Sequence, residues 1–290
     1  MLSHSVVQNA MNLTFLSCLC AVVRFSALAF NPSNNQASYR SRTSLGVSEI
    51  HIPAYRETKI PFILNDEYRG DHEHSVGTVT LNKEPTFSSD DFESMIPHQG
   101  GHLVHKTKFQ VFSQSECQAI IDEAEKVASK IEWTKNRHGN FPTTDLPLVE
   151  LPDSLQFLRH ALVERIYPIL SAQFGSYLPD PTRLRVADGF VVKYDALGGQ
   201  NELKPHRDGS VLSFNIALNP ASDFDGGGTW FASLDDAVKI DQGEMVSHAS
   251  SLLHGGHGIT SGKRYIVVAF VILEGYDSWS MRFYNEVRNM

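Results

Sequence analysis

The amino-acid sequence predicts an α+β domain in which helices come first and a sandwich or jelly roll of strands follows. Apolar residues repeat at helical spacing in two segments between about residues 113 and 174. After Pro181 the chain changes to short β-type segments, which are separated by glycine-rich breaks at 197–199 and 225–228. Helices followed by a run of short strands with loops indicate an α+β domain.

The first predicted helix begins after Ser113, because Ser113 and Glu116 have the spacing of a capping box. Its apolar stripe consists of Cys117, Ile120, Ile121, Ala124 and Val127. The second predicted helix covers about residues 154–174, with a kink expected at Pro168 and an end at Gly175. Both stripes are interpreted as packing surfaces, since the apolar face of an amphipathic helix is usually buried.

The five predicted strands contain the β-branched and aromatic residues that favour an extended chain. They cover residues 189–194, 211–219, 228–231, 244–247 and 263–273. Residues 48–106 are harder to assign, because they hold only short β-like pieces among many turn-forming residues. The sequence therefore predicts the sheet from the second half of the chain.

The composition limits the classes of function. The chain has 290 residues, and its net charge of -8 at pH 7 argues against a nucleic-acid-binding surface, which requires a basic excess. Its three cysteines are Cys18, Cys20 and Cys117. Two of them lie near the N-terminus, so a cysteine-rich zinc or iron–sulfur site and a disulfide framework are excluded. The thirteen histidines make a histidine-bound metal worth seeking.

The first 47 residues have the composition of targeting segments. Residues 1–29 form a signal-peptide-like leader that ends in Ala-Leu-Ala, a cleavage signature. Residues 30–47 contain serine and arginine but no acidic residue, as in a transit peptide or a disordered linker. Together they resemble the bipartite plastid presequence of diatoms and related algae. We expect entry into the secretory pathway, with the plastid or the ER and secretion as alternative destinations, and membrane contact only through an uncleaved leader.

His206 and Asp208 lie two residues apart, immediately before the predicted strand 211–219. In an extended chain, residues i and i+2 share a face, so the imidazole and the carboxylate would point the same way. His254 or His257 can supply a third ligand from a later part of the chain. Two histidines and one carboxylate make a facial triad, which holds Fe(II) and leaves positions open for substrate and oxygen.

Arg264 opens the strongly apolar predicted strand 263–273. A buried arginine needs an anionic partner, and its planar fork suits a carboxylate. A metal with open positions near an arginine fits a cosubstrate that chelates the metal through a keto acid and anchors its far carboxylate on the guanidinium.

The sequence resembles the core of Fe(II)/2-oxoglutarate dioxygenases, and is most similar to their prolyl 4-hydroxylase and lysyl hydroxylase branch. The segments that carry this resemblance are FVVKYDALGGQNELKPHRDGSVLSFNIALN, DFDGGGTWF and LLHGGHGITSGKRYIVVAFV. The resemblance covers about residues 107–275, and leaves residues 48–106 as an N-terminal extension and 276–290 as a C-terminal tail. The implied fold is a double-stranded β-helix (jelly roll) with N-terminal helices packed on its major sheet.

The resemblance also implies roles for individual residues. The family places its distal histidine ten residues before the arginine that binds 2-oxoglutarate, which selects His254 with Arg264 and leaves His257 in the surrounding loop. The implied metal ligands are then His206, Asp208 and His254. Halogenating relatives carry a small residue in place of the metal-binding aspartate, so Asp208 favours hydroxylation.

Further residues are expected to bind 2-oxoglutarate. Tyr194 matches the family's tyrosine that contacts this cosubstrate. Ser213 and Asn215 share one strand face and line the pocket, unless they are ordinary half-buried polar residues. Where related oxygen-sensing hydroxylases have a second tyrosine, this chain has only Ile216 and Ala217. Some of the hydrogen bonding to 2-oxoglutarate must therefore come from elsewhere.

The implied activity is hydroxylation of an unactivated C–H bond on a prolyl or lysyl side chain of a protein. Fe(II), 2-oxoglutarate and O2 would be required, L-ascorbate would rescue oxidised iron, and succinate and CO2 would be released. The expected partner is a protein or peptide substrate, and no nucleic acid. Two alternatives stay open: the same chemistry on a small metabolite, and a catalytically silent metal-binding module.

Other histidines are weaker candidates for metal ligands. His98, His102 and His105 have the spacing of a helical metal site, but the two glycines between them disfavour a helix. His248 is expected to pack or to hydrogen-bond locally. His138 is interpreted either as a substrate contact or as a structural residue of its loop.

Overall fold

Eleven strands make two sheets in a computed structural model that describes residues 87–135, 137–138 and 141–290. The strands are β1 (Phe92–His98), β2 (Gly101–Thr107), β3 (Asp145–Pro147), β4 (Leu184–Asp195), β5 (Leu203–His206), β6 (Leu212–Ala217), β7 (Phe224–Gly226), β8 (Thr229–Phe231), β9 (Met245–Ala249), β10 (His254–Gly256) and β11 (Ile259–Leu273). The leader, the transit-peptide-like segment and residues 48–86 of the extension lie outside the described residues.

The two sheets have the topology of a jelly roll. The large sheet has the order β1-β2-β9-β6-β11-β4-β3, with β7 also paired to β11, and the small sheet has the order β5-β10-β8. From β4 to β11 the chain alternates between them, since β4, β6, β9 and β11 lie in the large sheet and β5, β8 and β10 in the small one. This alternation defines a double-stranded β-helix, so the predicted fold class is confirmed.

Four α-helices occur in the described ranges, and none is long and apolar enough to cross a membrane. They are α1 (Gln114–Ile131), α2 (Pro152–Ala161), α3 (Tyr167–Phe174) and α4 (Asp277–Arg288). The capping box predicted for α1 is present, because Ser113 Oγ accepts the Glu116 N–H at 3.3 Å and the Glu116 carboxylate accepts the Ser113 N–H at 2.7 Å.

A π-helical turn, Leu162–Ile166, joins α2 and α3 into one continuous helical segment. At its end the N–H of Tyr167 donates to the carbonyl of Leu162, five residues back. Pro168 follows directly, and its ring crowds the carbonyl of the preceding turn while it has no N–H to donate. The kink expected at Pro168 therefore takes the form of a wider turn that makes room for the ring.

The helices pack on the outer face of the large sheet, as predicted. Glu125 of α1 accepts hydrogen bonds of 2.6 Å from Lys193 of β4 and from Tyr265 of β11. Ser247 of β9 donates to Gln173 of α3 at 2.7 Å. Because successive side chains of a strand point to opposite faces, the neighbours of these residues face the interior of the roll. The inward residues include Tyr194, Arg264 and His248. Ser213 of β6 pairs with His248, so Ser213 and Asn215 also face inward.

Several elements were not predicted from the sequence. The end of the extension forms the β1–β2 hairpin, which runs to Thr107, and β2 pairs with β9 in the large sheet. The C-terminal tail forms α4, whose Phe283 and Val287 are buried. The strands β5 and β10 have four and three residues, too few for a periodic pattern to mark them. Both of these short strands carry a predicted metal ligand.

Candidate functional site

Neighbouring strands of the small sheet bring two histidines side by side. His206 is the last residue of β5 and His254 the first of β10, and the two are directly paired in the register. Asp208 follows in the loop toward β6, with its oxygens 3.3 Å from Nε2 of His206 and 3.4 Å from Nε2 of His254. The three ligand atoms lie within 4.8 Å of one another, and no other such group occurs in the described part of the chain.

Hydrogen bonds determine which nitrogen each imidazole offers. The Nδ1 of His206 lies 2.9 Å from the carbonyl oxygen of Lys204, and the Nδ1 of His254 lies 3.0 Å from that of Leu252. Since a carbonyl only accepts, Nδ1 of each neutral ring carries the hydrogen and Nε2 keeps a lone pair that faces Asp208. Outer hydrogen bonds of this kind orient the histidine ligands of metal sites.

Asp208 is buried and is held by groups of the large sheet. Its Oδ2 accepts a hydrogen bond of 2.6 Å from Ser213 Oγ, and its N–H donates to the carbonyl of Ser250 at 3.0 Å. Burial by itself would raise the pKa of Asp208, but in the absence of a metal the positive charge and the hydrogen bonds that the imidazoles of His254 and His206 supply when protonated hold this pKa well below its usual range. Two imidazole nitrogens and one anionic carboxylate are the donor set of a facial triad, so these residues fit Fe(II).

A third histidine, His248, packs beside this group from β9. Its ring centroid lies 4.2 Å from that of His254 and 5.1 Å from that of Phe231. Burial lowers the pKa of His248 to about 3, so the ring is neutral at pH 7. Its Nδ1 lies 3.1 Å from the carbonyl oxygen of Ala249. These contacts agree with the local packing predicted for His248.

Arg264 is a buried cation without a carboxylate beside it in the described ranges. It pairs with Tyr194 across β11 and β4, and its guanidinium carbon lies 5.3 Å from the centre of the tyrosine ring. Only 3% of Arg264 is exposed, and its Nη2 has no hydrogen-bond partner among the described residues. Burial lowers the pKa of Arg264, and an unsatisfied buried donor is costly. An anionic ligand would satisfy this nitrogen, so Arg264 fits the far carboxylate of 2-oxoglutarate.

The other two predicted pocket residues have different surroundings. Ser213 donates a hydrogen bond to Asp208 and also contacts Ser250 Oγ at 2.8 Å, so it orients a predicted metal ligand. Asn215, two residues further along β6, contacts Thr229 Oγ1 of β8 at 3.4 Å through Nδ2. Its Oδ1 is buried without a partner in the described part of the chain. Asn215 thus has an unpaired amide oxygen on the inner face of the large sheet.

A cluster of charges lies at the same level of the sheet as Ser213. Asp188 pairs with Phe270 in the register, and Phe270 pairs in turn with Ser213. Arg137 joins Asp188, at 2.7 Å from Nη2, to the fully buried Asp145, at 3.2 Å from Nε. Two carboxylates therefore share one guanidinium near the predicted metal ligands.

His138 and Phe141 extend this cluster toward the triad. The ring centroid of Phe141 lies 5.2 Å from that of His206, and the Nε2 of His138 lies 3.5 Å from Asp145. Burial lowers the pKa of His138 and raises that of Asp145. The sequence indicated His138 but not the carboxylates. The alternation of β4 was a usable signal, because it places Asp188 on the same face as Tyr194.

The remaining histidines lie apart from the triad. His257 is exposed in the loop between β10 and β11, which agrees with the choice of His254 as the ligand. His98 and His102 flank the turn of the β1–β2 hairpin. His105 is buried, with Nδ1 2.8 Å from Ser94 Oγ and Nε2 3.0 Å from the carbonyl oxygen of His102. In the described ranges, none of these residues belongs to a group of side chains that could hold a metal ion.

Curated relatives match about half of the chain. Human procollagen-lysine,2-oxoglutarate 5-dioxygenase 2 is 31% identical over 176 residues, which cover 56% of this chain and 23% of the relative. Mouse procollagen-lysine,2-oxoglutarate 5-dioxygenase 1 is 30% identical over 173 residues, which again cover 56% of this chain and 23% of the relative. The chain thus spans about a quarter of the length of these relatives. No family model matches it.

Two hydroxylases are among the solved structures that match part of the chain. The viral collagen prolyl hydroxylase of Paramecium Bursaria Chlorella virus-1, in a 2OG complex, has 18% identity and a TM-score of 0.42, and covers 59% of this chain and 96% of its own. A prolyl-4-hydroxylase from Pseudomonas putida has 12% identity and a TM-score of 0.42. The match covers 60% of this chain and 94% of the hydroxylase.

Proposed function

Because the chain carries a 2-oxoglutarate-dependent dioxygenase domain of the prolyl 4-hydroxylase and lysyl hydroxylase-like branch, we propose that it hydroxylates side chains of a protein substrate. The reaction would consume 2-oxoglutarate and O2 and release succinate and CO2, with one oxygen atom inserted into a C–H bond. The observation that carries the proposal is the meeting of His206, Asp208 and His254 on one side and the unsatisfied, buried Arg264 on the other.

Fe(II) held by His206, Asp208 and His254 would supply the activation of O2 and the oxidative decarboxylation of 2-oxoglutarate. The protein contributes by keeping the ligands in place before the metal arrives. Ser213 orients the carboxylate, and the carbonyl groups of Lys204 and Leu252 orient the imidazoles. Ascorbate is expected to sustain turnover, as in the family that the sequence resembles.

The inner face of the large sheet would bind 2-oxoglutarate. Arg264 offers Nη2 to the far carboxylate, and the ring of Tyr194 supports the guanidinium through a cation–π contact. Asn215 can rotate its amide so that Thr229 donates to Oδ1 and Nδ2 turns to the ligand, since the two ends of an amide are interchangeable in this way. These groups are inside the roll, where water competes little for the anion.

Between lysyl and prolyl side chains, we favour lysyl. The curated relatives named above are procollagen-lysine dioxygenases. In addition, Asp188 lies at the level of Ser213 and shares the single guanidinium of Arg137 with Asp145. A carboxylate that is only partly neutralised near the triad suits the ammonium group of lysine, whereas a prolyl ring offers it nothing to bind.

The test is release of succinate from 2-oxoglutarate by the Fe(II)-loaded protein. We expect His206→Ala and His254→Ala to abolish it, because each removes one of three ligands. His257→Ala is the matched control, since it removes an exposed histidine three residues from His254, and it should keep full activity. A wild-type protein that binds Fe(II) but releases no succinate would indicate a silent binding module. Succinate release without any peptide that gains an oxygen atom would indicate a small-molecule substrate.

A further inference from the structure

A second cation shares a cavity with Arg264. The cavity has a volume of about 300 Å³. It is lined by Ala221, Phe224, Asp225, Gly226, Gly228, Lys239, Ile240 and Arg264. Lys239 is exposed, in the segment between β8 and β9, and forms no ion pair among the described residues. One buried and one exposed cation thus line the cavity together with a single carboxylate, Asp225, which accepts a 2.6 Å hydrogen bond from Ser261 and forms no ion pair with either cation in the described ranges.

The glycine turn between β7 and β8 lets both cations approach the cavity. Gly226, Gly227 and Gly228 all have positive φ, at 86°, 69° and 107°, which residues with a side chain rarely adopt. A Cβ atom on Gly227 would lie 3.3 Å from Cδ of Arg264, and one on Gly228 would lie 3.3 Å from Cγ of Lys239. The turn therefore packs its bare backbone against the stems of both cationic side chains.

The strand β6 offers no donor at this end of the pocket. Ala217 continues the inward series of Ser213 and Asn215, and its methyl group cannot donate a hydrogen bond. Ile216 is fully buried on the opposite face. The hydroxyl that a tyrosine would supply here is missing, so a further donor to an anion bound at Arg264, besides Tyr194 and Asn215, would come from another element.

We infer that Lys239 is this donor, and that Lys239 and Arg264 together bind the far carboxylate of 2-oxoglutarate. The inference rests on the proposed function, because it concerns the cosubstrate of the same site. Arg264 offers a planar guanidinium from the buried side of the cavity. Lys239 offers an ammonium group on a flexible stem from the exposed side. A ligand without the far carboxylate gains nothing from Lys239, so this residue makes the site selective for 2-oxo diacids over 2-oxo monoacids.

The experiment measures binding rather than turnover. Mn(II) replaces Fe(II), and 2-oxoglutarate or pyruvate, a 2-oxo acid without a far carboxylate, is titrated into the loaded protein by calorimetry. The test variant is Lys239→Met, which keeps most of the stem and removes the charge. The control is Lys263→Met, next to Arg264 in the chain, whose side chain is 51% exposed and pairs with Asp195 at 3.8 Å.

We expect Lys239→Met to weaken the binding of 2-oxoglutarate about 3- to 10-fold, as for the loss of one partly exposed charge-assisted contact. Its affinity for pyruvate should not change, and Lys263→Met should change neither affinity. The difference between wild type and Lys239→Met should narrow at high salt, because the contact is partly exposed.

Three results would overturn the inference. Equal binding of 2-oxoglutarate by wild type, Lys239→Met and Lys263→Met would refute the role of Lys239 and leave the proposed function standing. Equal weakening of 2-oxoglutarate and pyruvate by Lys239→Met would show a general effect on the site and no recognition of the far carboxylate. A metal-loaded wild type that binds no 2-oxoglutarate would refute the proposed function, and the inference with it.

Discussion

Ser213 Oγ donates a hydrogen bond of 2.6 Å to Oδ2 of Asp208, and it does so from the large sheet, whereas the two histidines of the triad belong to the small sheet. The hydroxyl fixes the rotation of the carboxylate between the two imidazoles. It also accounts for a polar residue on a strand that is buried along its whole length.

Removal of this hydroxyl should weaken metal binding. We expect Ser213→Ala to lower the affinity for Fe(II) or Mn(II) about 10- to 100-fold, because the carboxylate loses the group that orients it. The measurement is a metal titration at fixed pH. Ser261→Ala is a matched control, since it removes an exposed serine–aspartate bond of the same 2.6 Å length. An unchanged affinity in Ser213→Ala would contradict the orienting role.

Arg264 should be required for ligand binding but not for folding. Its buried Nη2 has no partner in the described ranges, so Arg264→Met removes a poorly satisfied charge and keeps an apolar stem. We expect the free energy of unfolding of the ligand-free protein to stay equal or to rise, while affinity for 2-oxoglutarate falls at least about 100-fold. Urea unfolding and calorimetric titration measure the two quantities. A large loss of stability would mean that another group already satisfies Arg264.

His105 should make the protein less stable in acid. Burial lowers its pKa to about 4 from the ordinary value of 6.5. Between these two pH values the imidazole is protonated in the unfolded chain but neutral in the folded protein. The stabilisation is complete above pH 6.5, and it is lost as pH falls toward 4, by up to about 3 kcal/mol.

The variant His105→Gln should therefore show a shallower fall of unfolding free energy between pH 6.5 and 4 than the wild type. The slope will not vanish, because burial lowers the pKa values of His138 and His248 as well. His257→Gln, at an exposed position, serves as the control and should keep the wild-type slope. Parallel curves for wild type and His105→Gln would disprove the assignment.

Asp188 should affect the protein substrate and leave 2-oxoglutarate turnover intact. With lysyl peptides, we expect Asp188→Asn to raise the KM for the peptide roughly 10-fold or more, because the ammonium group loses its carboxylate. Succinate release without peptide should stay at the wild-type rate. Asp235→Asn, an exposed carboxylate in the loop after β8, is the control. If prolyl peptides are hydroxylated and lysyl peptides are not, the preference for lysine is wrong.

The sequence predicted that His206, Asp208 and His254 lie together, and they do, but the physical cause of their geometry is different. The expectation was that His206 and Asp208 share a face because they are two residues apart in one extended chain. In the structure His206 ends β5, and Asp208 lies beyond it in a loop that crosses to the large sheet. The two side chains meet because the chain changes sheets there, and hydrogen bonds to Ser213 and Ser250 hold the loop.

Other parts of the site could not be predicted, because they depend on contacts between distant segments. Lys239 reaches the cavity of Arg264 only through a glycine turn that both stems pack against. The alternation of β4 places Asp188 on the same face as Tyr194, but its level in the sheet is clear only from the register with Phe270 and Ser213. The alternation of a strand tells which face of the sheet a side chain lies on. The register between strands decides which side chains on that face become neighbours.

The triad also has a mechanical consequence, because its two histidines belong to the small sheet while its aspartate, in the loop after β5, is held by the large one. A cation bound by His206, His254 and Asp208 would tie the three-stranded layer to the eight-stranded one through the serine hydroxyls. Without that tie, the thin layer of short strands would open more often by itself. Amide hydrogens of β5 and β10 should then exchange with solvent much faster in metal-stripped protein, while those of β6 and β11 keep their protection.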